Sequence, residues 1–280
     1  MDWQTTIPEF LKTYAASTQR QYQLALDDFA SWYRLTYGEE PVPDLLTAEE
    51  LREWRSHLSG VREMQAATVN QRLSAVKSLA VYCGRDITVR GIRRVKEPIE
   101  PLNGRELGRL FAAAEGERWL DYRNVAMLSL MARAGLRVSE VVDLGINDLE
   151  INPRSGRALI RHGKGNKERA VRLSLQTRKD LTTYLEMRPN FATECLFVSR
   201  SGKALHARDV QRMVDKVARL ALIECKVTPH ILRHTYATRF LRKGGDLATL
   251  QHLMGHANLS TTARYLHPDK QKVQAMVEDL

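Results

Sequence analysis

Ala158-Leu-Ile-Arg-His-Gly-Lys-Gly-Asn-Lys-Glu-Arg-Ala-Val-Arg-Leu173 holds two short apolar runs around a polar, glycine-bearing centre. Ala158 to Arg161 and Arg169 to Leu173 have the length and composition of strands, and His162 to Glu168 supplies the glycines that a tight reversal needs. A β-hairpin is expected here. Almost everything to either side shows helical spacing instead, so the class expected is mainly α with a small β-hairpin or sheet.

Working towards the N-terminus, Asp121 to Gly135 is an apolar helix stopped by a glycine, and Asn103 with Glu106 has the spacing of a capping pair. Farther back, from about Ser17, Tyr22, Leu26, Phe29, Tyr33 and Tyr37 recur every three or four residues and form one apolar helix face. Thr47 with Glu50 opens a second helix towards Leu58, and Val69, Leu73, Val76 and Leu79 line a third that stops at Gly84. With a short helix near Phe10, residues 1–84 are expected as a small helical domain. Residues 85–101 carry β-branched side chains, Gly91, Pro98 and Pro101, and are expected as an interdomain linker. Residues 102–280 then form a second, mixed α/β domain in which helices dominate after the hairpin.

A chain of 280 residues, 43% hydrophobic, can bury a substantial core and is not a disordered composition. Its formal charge of +10 suits a polyanionic partner, because lysine and arginine near phosphates displace condensed counterions. The charge is unevenly spread: residues 1–100 hold 13 Lys and Arg against 14 Asp and Glu, and residues 101–280 hold 30 against 19. Arg85, Arg90, Arg93, Arg94 and Lys96 crowd into the twelve residues 85–96, opposed there by Asp86 alone. Cys83, Cys195 and Cys225 have neither even number nor metal spacing and are expected as buried free thiols. The N-terminus lacks the basic start and apolar run of a secretion signal, and no apolar stretch reaches membrane-spanning length. A reducing compartment that holds DNA is expected, which in a bacterium is the cytoplasm.

Four stretches of the second domain carry candidate chemistry. In Gly135-Leu-Arg-Val-Ser-Glu140, Arg137 and Glu140 share a helix face, so the carboxylate can orient the guanidinium. The hairpin tip places Lys164 and Lys167 where a groove or a phosphate oxygen is in reach, although it is not a Walker loop, since a strand follows it where a helix should. In Thr228-Pro-His-Ile-Leu-Arg-His234 a cap and a proline fix a helix start, with His230 and Arg233 near its positive dipole end. In Leu253-Met-Gly-His-Ala-Asn-Leu-Ser-Thr-Thr-Ala-Arg-Tyr265, Gly255 ends one helix and Ser260 can cap the next, which leaves His256 in the turn and Tyr265 beyond it. His252 and His256 are four apart, yet the Glu of His-Glu-x-x-His is missing and Gly255 interrupts the helix, so no metal is expected. Each stretch by itself has an ordinary structural explanation: a solvated ion pair, exposed turn lysines, a capping histidine, a packed tyrosine. Together they supply the parts of phosphoryl transfer, with cations to neutralise a phosphorane, a lysine to protonate an alkoxide and a tyrosine to attack.

The order Arg, Glu, Lys, His-x-x-Arg, Gly-His and Tyr resembles the tyrosine recombinase, or lambda-integrase, family, in size and layout most like its compact Xer-type members. The resemblance covers nearly the whole chain and is specific in the second half only. It implies a SAM-like helical core-binding domain and a tyrosine recombinase catalytic domain. It implies that Arg137 and Arg233 clamp the scissile phosphate, that Lys164 is the general acid with Lys167 as its possible substitute, and that His230 and His256 serve the non-bridging oxygens or proton transfer. Glu140 would support them without touching the phosphate, and Tyr265 would form a 3'-phosphotyrosyl link, with no ATP, metal or other cofactor. The implied partner is double-stranded DNA with specific core sites, bound by a homotetramer on two duplexes, a dimer per site, and joined through a Holliday junction. Arg90, Arg93 and Arg94 are expected near the DNA backbone, and residues from Pro268 to Leu280 as a short helix on a neighbouring subunit. The few residues before Thr5 depart from larger relatives that carry an arm-site domain. Two other readings stay open: a type IB topoisomerase-like relaxing enzyme, and a non-catalytic DNA-binding regulator. The target site, and the choice among integration, excision and resolution, are not legible in one chain.

Overall fold

The computed structural model describes residues 1–93, 100–161 and 168–255. It divides into two compact units, Met1–Pro98 and Ile99–Leu280. Among its described residues the first unit is all-helical: α1 (Trp3–Lys12), α2 (Ala16–Tyr37), α3 (Ala48–Ser56), a π-helical turn over His57–Val61, and α4 (Ala66–Tyr82). Local chemistry sets the ends. Asp2 accepts the Thr5 N–H at 2.9 Å to start α1, and Thr47 and Glu50 form a reciprocal capping box at α3, with bonds of 3.3 and 2.7 Å.

The core of this unit is aromatic. Phe29 lies 5.8 Å from Trp3 and meets Trp54 edge-on at 4.9 Å, and Leu26, Leu51, Leu58, Val69, Leu73, Val76 and Leu79 close around them. Burying each such side chain contributes roughly 1.5–3 kcal/mol. Tyr37, expected on the same face, is 39% exposed, because the last turn of α2 runs past the core and its hydroxyl donates instead to Glu53 at 2.6 Å. Ile87 and Val89 are buried in this core. Asn70 exchanges two bonds with the backbone of Ile92, at 2.7 and 2.8 Å. The early part of the segment expected as a linker is therefore packed on the helical unit.

The second unit contains α5 (Gly104–Ala114), α6 (Trp119–Arg133), α7 (Val138–Asp143), a 3-10 turn over Ile146–Asp148, β1 (Leu149–Ile151), β2 (Gly156–Ile160), β3 (Arg169–Arg172), α8 (Leu175–Met187), α9 (Ala207–Leu220), α10 (Pro229–Arg242) and α11 (Leu247–Met254). The strands form one antiparallel sheet in the order β1-β2-β3, with Ala158 opposite both Leu149 and Val171, and Ile160 opposite Arg169. The expected hairpin is β2–β3; β1 was not anticipated. Every residue of α6 from Ala126 to Ala132 is buried, so this helix is enclosed on all sides, and it packs against α8 and α10. Its one buried hydroxyl, Ser129, bonds Thr177 at 3.3 Å.

The cysteine expectation needs correction. Cys83 is buried, Cys195 is intermediate and Cys225 is exposed. Between α9 and α10 the apolar Ile223 and Val227 turn inward at the two ends of the loop, which leaves Cys225 in the outward middle. Among the described residues, no helix is long and apolar enough to cross a membrane.

Candidate active site

The site is built where α6 ends. Gly135 adopts a left-handed φ of +72°, and the Leu136 N–H returns to the Leu130 carbonyl at 3.1 Å, closing the helix. A Cβ at Gly135 would lie 2.4 Å from the Tyr236 ring, so glycine is required both for conformation and for space. This reversal places Arg137 at the N-cap of α7 and Glu140 in its first turn.

Glu140 is 4% exposed and gathers three arginines. Its Oε2 accepts the backbone N–H of Arg137 at 2.8 Å, and its Oε1 accepts Nη1 of the same residue at 2.7 Å. Arg169, the first residue of β3, binds both oxygens in a fork, each at 2.9 Å. Arg233 Nη1 lies 3.9 Å away on α10. Burial by itself would raise the Glu140 carboxyl, but bonds from Arg169 and from the backbone and side chain of Arg137 outweigh it and hold the group below the ordinary glutamate value.

Arg233 owes its place to the start of α10. The Thr228 hydroxyl accepts the Ile231 N–H at 3.3 Å, and Pro229 occupies the first turn. One turn on, Arg233 is 4% exposed. It donates to the Gly135 carbonyl at 2.5 Å and to the Met254 carbonyl at 2.6 Å. Arg137 Nη2 donates to the neighbouring Gly255 carbonyl at 3.1 Å. Two arginines from separate elements thus meet the carbonyl end of α11, where a helix carries negative partial charge, and α11 closes there through the left-handed Gly255.

Of the residues expected from sequence, Arg137, Glu140 and Arg233 are brought together. His230 is exposed at the opening of α10. Arg90 and Arg93 are exposed in the first unit. Lys164, Lys167, His256, Tyr265 and Arg94 lie outside the described residues, as do Ser260 and the segment from Pro268 to Leu280.

Residues 100–272 match the model of the phage integrase family, and residues 2–86 match that of the phage integrase N-terminal SAM-like domain. Tyrosine recombinase XerC of Chlamydia caviae is 32% identical, over 92% of this chain and 90% of its own. The XerC of Staphylococcus carnosus is 31% identical, over 82% and 81%. The chain belongs to the tyrosine recombinase family. Among solved structures, XerH site-specific recombinase in a post-cleavage complex with palindromic difH substrate superposes on this recombinase with a TM-score of 0.77 at 25% identity, over 92% of this chain and 78% of that one. Its activity is site-specific recombination, in which DNA is cut and rejoined. The expected class, mainly helical with a small sheet and with a SAM-like domain before a catalytic one, agrees with these findings, and neither the relaxing enzyme nor the non-catalytic regulator is favoured.

Sequence reasoning missed Arg169 in this recombinase. A signal was present, because Arg169 shares a strand face with buried Val171 and stands opposite buried Ile160, a place where alternation calls for an apolar residue. A cation facing inward needs a carboxylate, and Glu140 is that partner.

Proposed function

We propose that this recombinase works through a 3'-phosphotyrosyl intermediate on Tyr265. The phenolic oxygen gives up its proton by way of His230 or His256 and attacks the scissile phosphorus, and the bond to the 5' oxygen breaks. Lys164, with Lys167 as substitute, gives that oxygen its proton. Arg137 and Arg233 neutralise the pentacoordinate phosphorane, and His230 and His256 bond its non-bridging oxygens or pass the proton on. The free 5' hydroxyl of a partner strand then displaces Tyr265, so the ester's energy is kept and neither ATP nor a metal enters the scheme. One observation carries the reading: a single carboxylate, Glu140, bonds Arg137 at 2.7 Å and lies 3.9 Å from Arg233, which assembles two guanidiniums from distant sequence positions.

The same proposal assigns residues 1–84 to gripping the core site, residues 85–101 to joining the domains with Arg90, Arg93 and Arg94 along the DNA backbone, and residues 102–280 to chemistry. The assembly is a homotetramer on two duplexes, a dimer on each site, passing through a Holliday junction in the cytoplasm. Support comes from the basic balance of residues 101–280 and the exposure of Arg90 and Arg93. Neutralising the three arginines together should weaken binding on all duplexes and flatten its salt dependence; an unchanged salt slope refutes their placement.

The chemistry is tested by covalent capture. Full-length protein is incubated with a pool of randomly nicked duplexes of randomised centre, and strands that remain protein-linked in detergent are sequenced. Wild type should enrich one site, and Tyr265→Phe should bind that site while leaving no linked strand. A persistent adduct in Tyr265→Phe overturns the nucleophile assignment, and the absence of any wild-type adduct overturns the scheme.

A further inference from the structure

Arg169 takes no part in the chemistry just proposed, yet the second unit holds its cation largely out of solvent. Its side chain is 13% exposed, and its two terminal nitrogens are committed to Glu140. Its end-on fork is thus taken up by a carboxylate and is not offered to a phosphate. Its guanidinium also lies against the end of α11: a Cβ at Gly255 would come within 3.0 Å of its Cζ and Nε. That Nε is buried and has no hydrogen-bond partner among the described residues. Arg137 grips the carbonyl of that same Gly255. Arg169 thus stands at the start of the strand that follows the hairpin tip, fixed at once to the carboxylate that orients Arg137 and to the glycine turn that Arg137 holds.

We infer that Arg169 is a positioning residue for strand cleavage, which acts through Glu140 to fix the guanidinium of Arg137 and seats the Gly255 turn against it. The inference rests on the reading of Arg137, Arg233 and Tyr265 given above. Electrostatics agrees with it. One carboxylate shared by three guanidiniums leaves an excess of positive charge facing an anionic transition state. Arg169 adds two donors to the carboxylate that holds Arg137, so that Arg137 is aimed and not merely neutralised.

The test uses the full-length protein and the nicked duplex recovered by covalent capture, with single-turnover adduct formation and equilibrium binding measured separately. Variants are Arg169→Gln, Arg169→Lys, Glu140→Gln and the double variant Arg169→Gln with Glu140→Gln. Arg169→Gln should form adduct at least about 30-fold more slowly, because small misplacements of a catalytic group cost rate steeply, while binding stays within about twofold. Arg169→Lys should recover part of the rate, since lysine keeps the charge and loses the fork. The double variant should be no slower than the slower single one, because the two residues act as a unit. Cleavage by Arg169→Gln at the wild-type rate overturns the inference. So do losses that multiply in the double variant, and so does a loss confined to binding or melting temperature. If Arg169→Gln does not fold, Arg169→Lys decides: slowed cleavage with unchanged binding supports the inference, and unchanged cleavage overturns it. Failure of the wild type to form any adduct sinks the Tyr265 reading as well, whereas wild-type adduct with an unaffected Arg169 variant sinks this inference alone.

Discussion

In the first unit Tyr33 and Tyr37 direct their hydroxyls to Glu50 and Glu53, at 2.9 and 2.6 Å, along the rim of an aromatic interior. In the second unit Glu140 and Arg233, each 4% exposed, lie inside the fold, with Arg169 beside them. A buried ion pair is a weak source of stability, because desolvation offsets most of the attraction. A helical unit with no reacting group to orient keeps these ionisable groups at its edge, as the first one does. The second takes on the desolvation where Arg137 and Arg233 have to be aimed.

The comparison is open to direct attack. The largest effect should follow Glu140→Ala, which strands the buried Arg233 and the partly buried Arg137 and Arg169 and should destabilise the second unit by about 3–5 kcal/mol. Hydrogen exchange along α6 and α10 measures it. The first unit, which holds three of the four tryptophans, Trp3, Trp32 and Trp54, should keep its fluorescence. Unaltered exchange in α6 would show that the buried carboxylate is not what distinguishes the second unit.

Smaller effects should come from pH, with opposite signs in the two units. Glu140 has its carboxyl lowered from 4.5, so the stability it lends is present above that value and is lost as pH falls through the lower, folded-state value. Burial, then the bond to Glu50, pushes Tyr33 up to about 12 from 10.0. Its contribution is therefore full below pH 10.0 and is lost as pH rises towards about 12. Unfolding followed by exchange in each unit should show acid sensitivity in the second and alkaline sensitivity in the first; matching profiles would erase the distinction. The smallest change is Thr47→Ala, which removes one arm of a surface capping box and should cost about 1 kcal/mol in the first unit only. Chemical denaturation checks it.

Features that depend on near neighbours in the chain were legible beforehand. The capping boxes at Thr47 and Asn103, the Thr228-Pro229 start and the glycine stops at Gly135 and Gly255 each rest on backbone contacts within about six positions. Features that depend on distant partners were not. β1 has three residues, too few to show a period, and exists because β2 pairs with it. The fork from Arg169 to Glu140 spans 29 positions; alternation with Val171 marks Arg169 as inward-facing, but which carboxylate meets it is set by the tertiary fold. Spacing alone did not bring Arg137 and Arg233 to one carboxylate either; the ordered set of motifs suggested it, by resemblance.

The end of α11 has a mechanical consequence. The carbonyls of Met254 and Gly255 are tied to Arg233 and Arg137, so the polypeptide beyond position 255 departs from an anchored pivot. Any pull transmitted back along it arrives at the two guanidiniums, and a displacement of either guanidinium tugs on that pivot in turn.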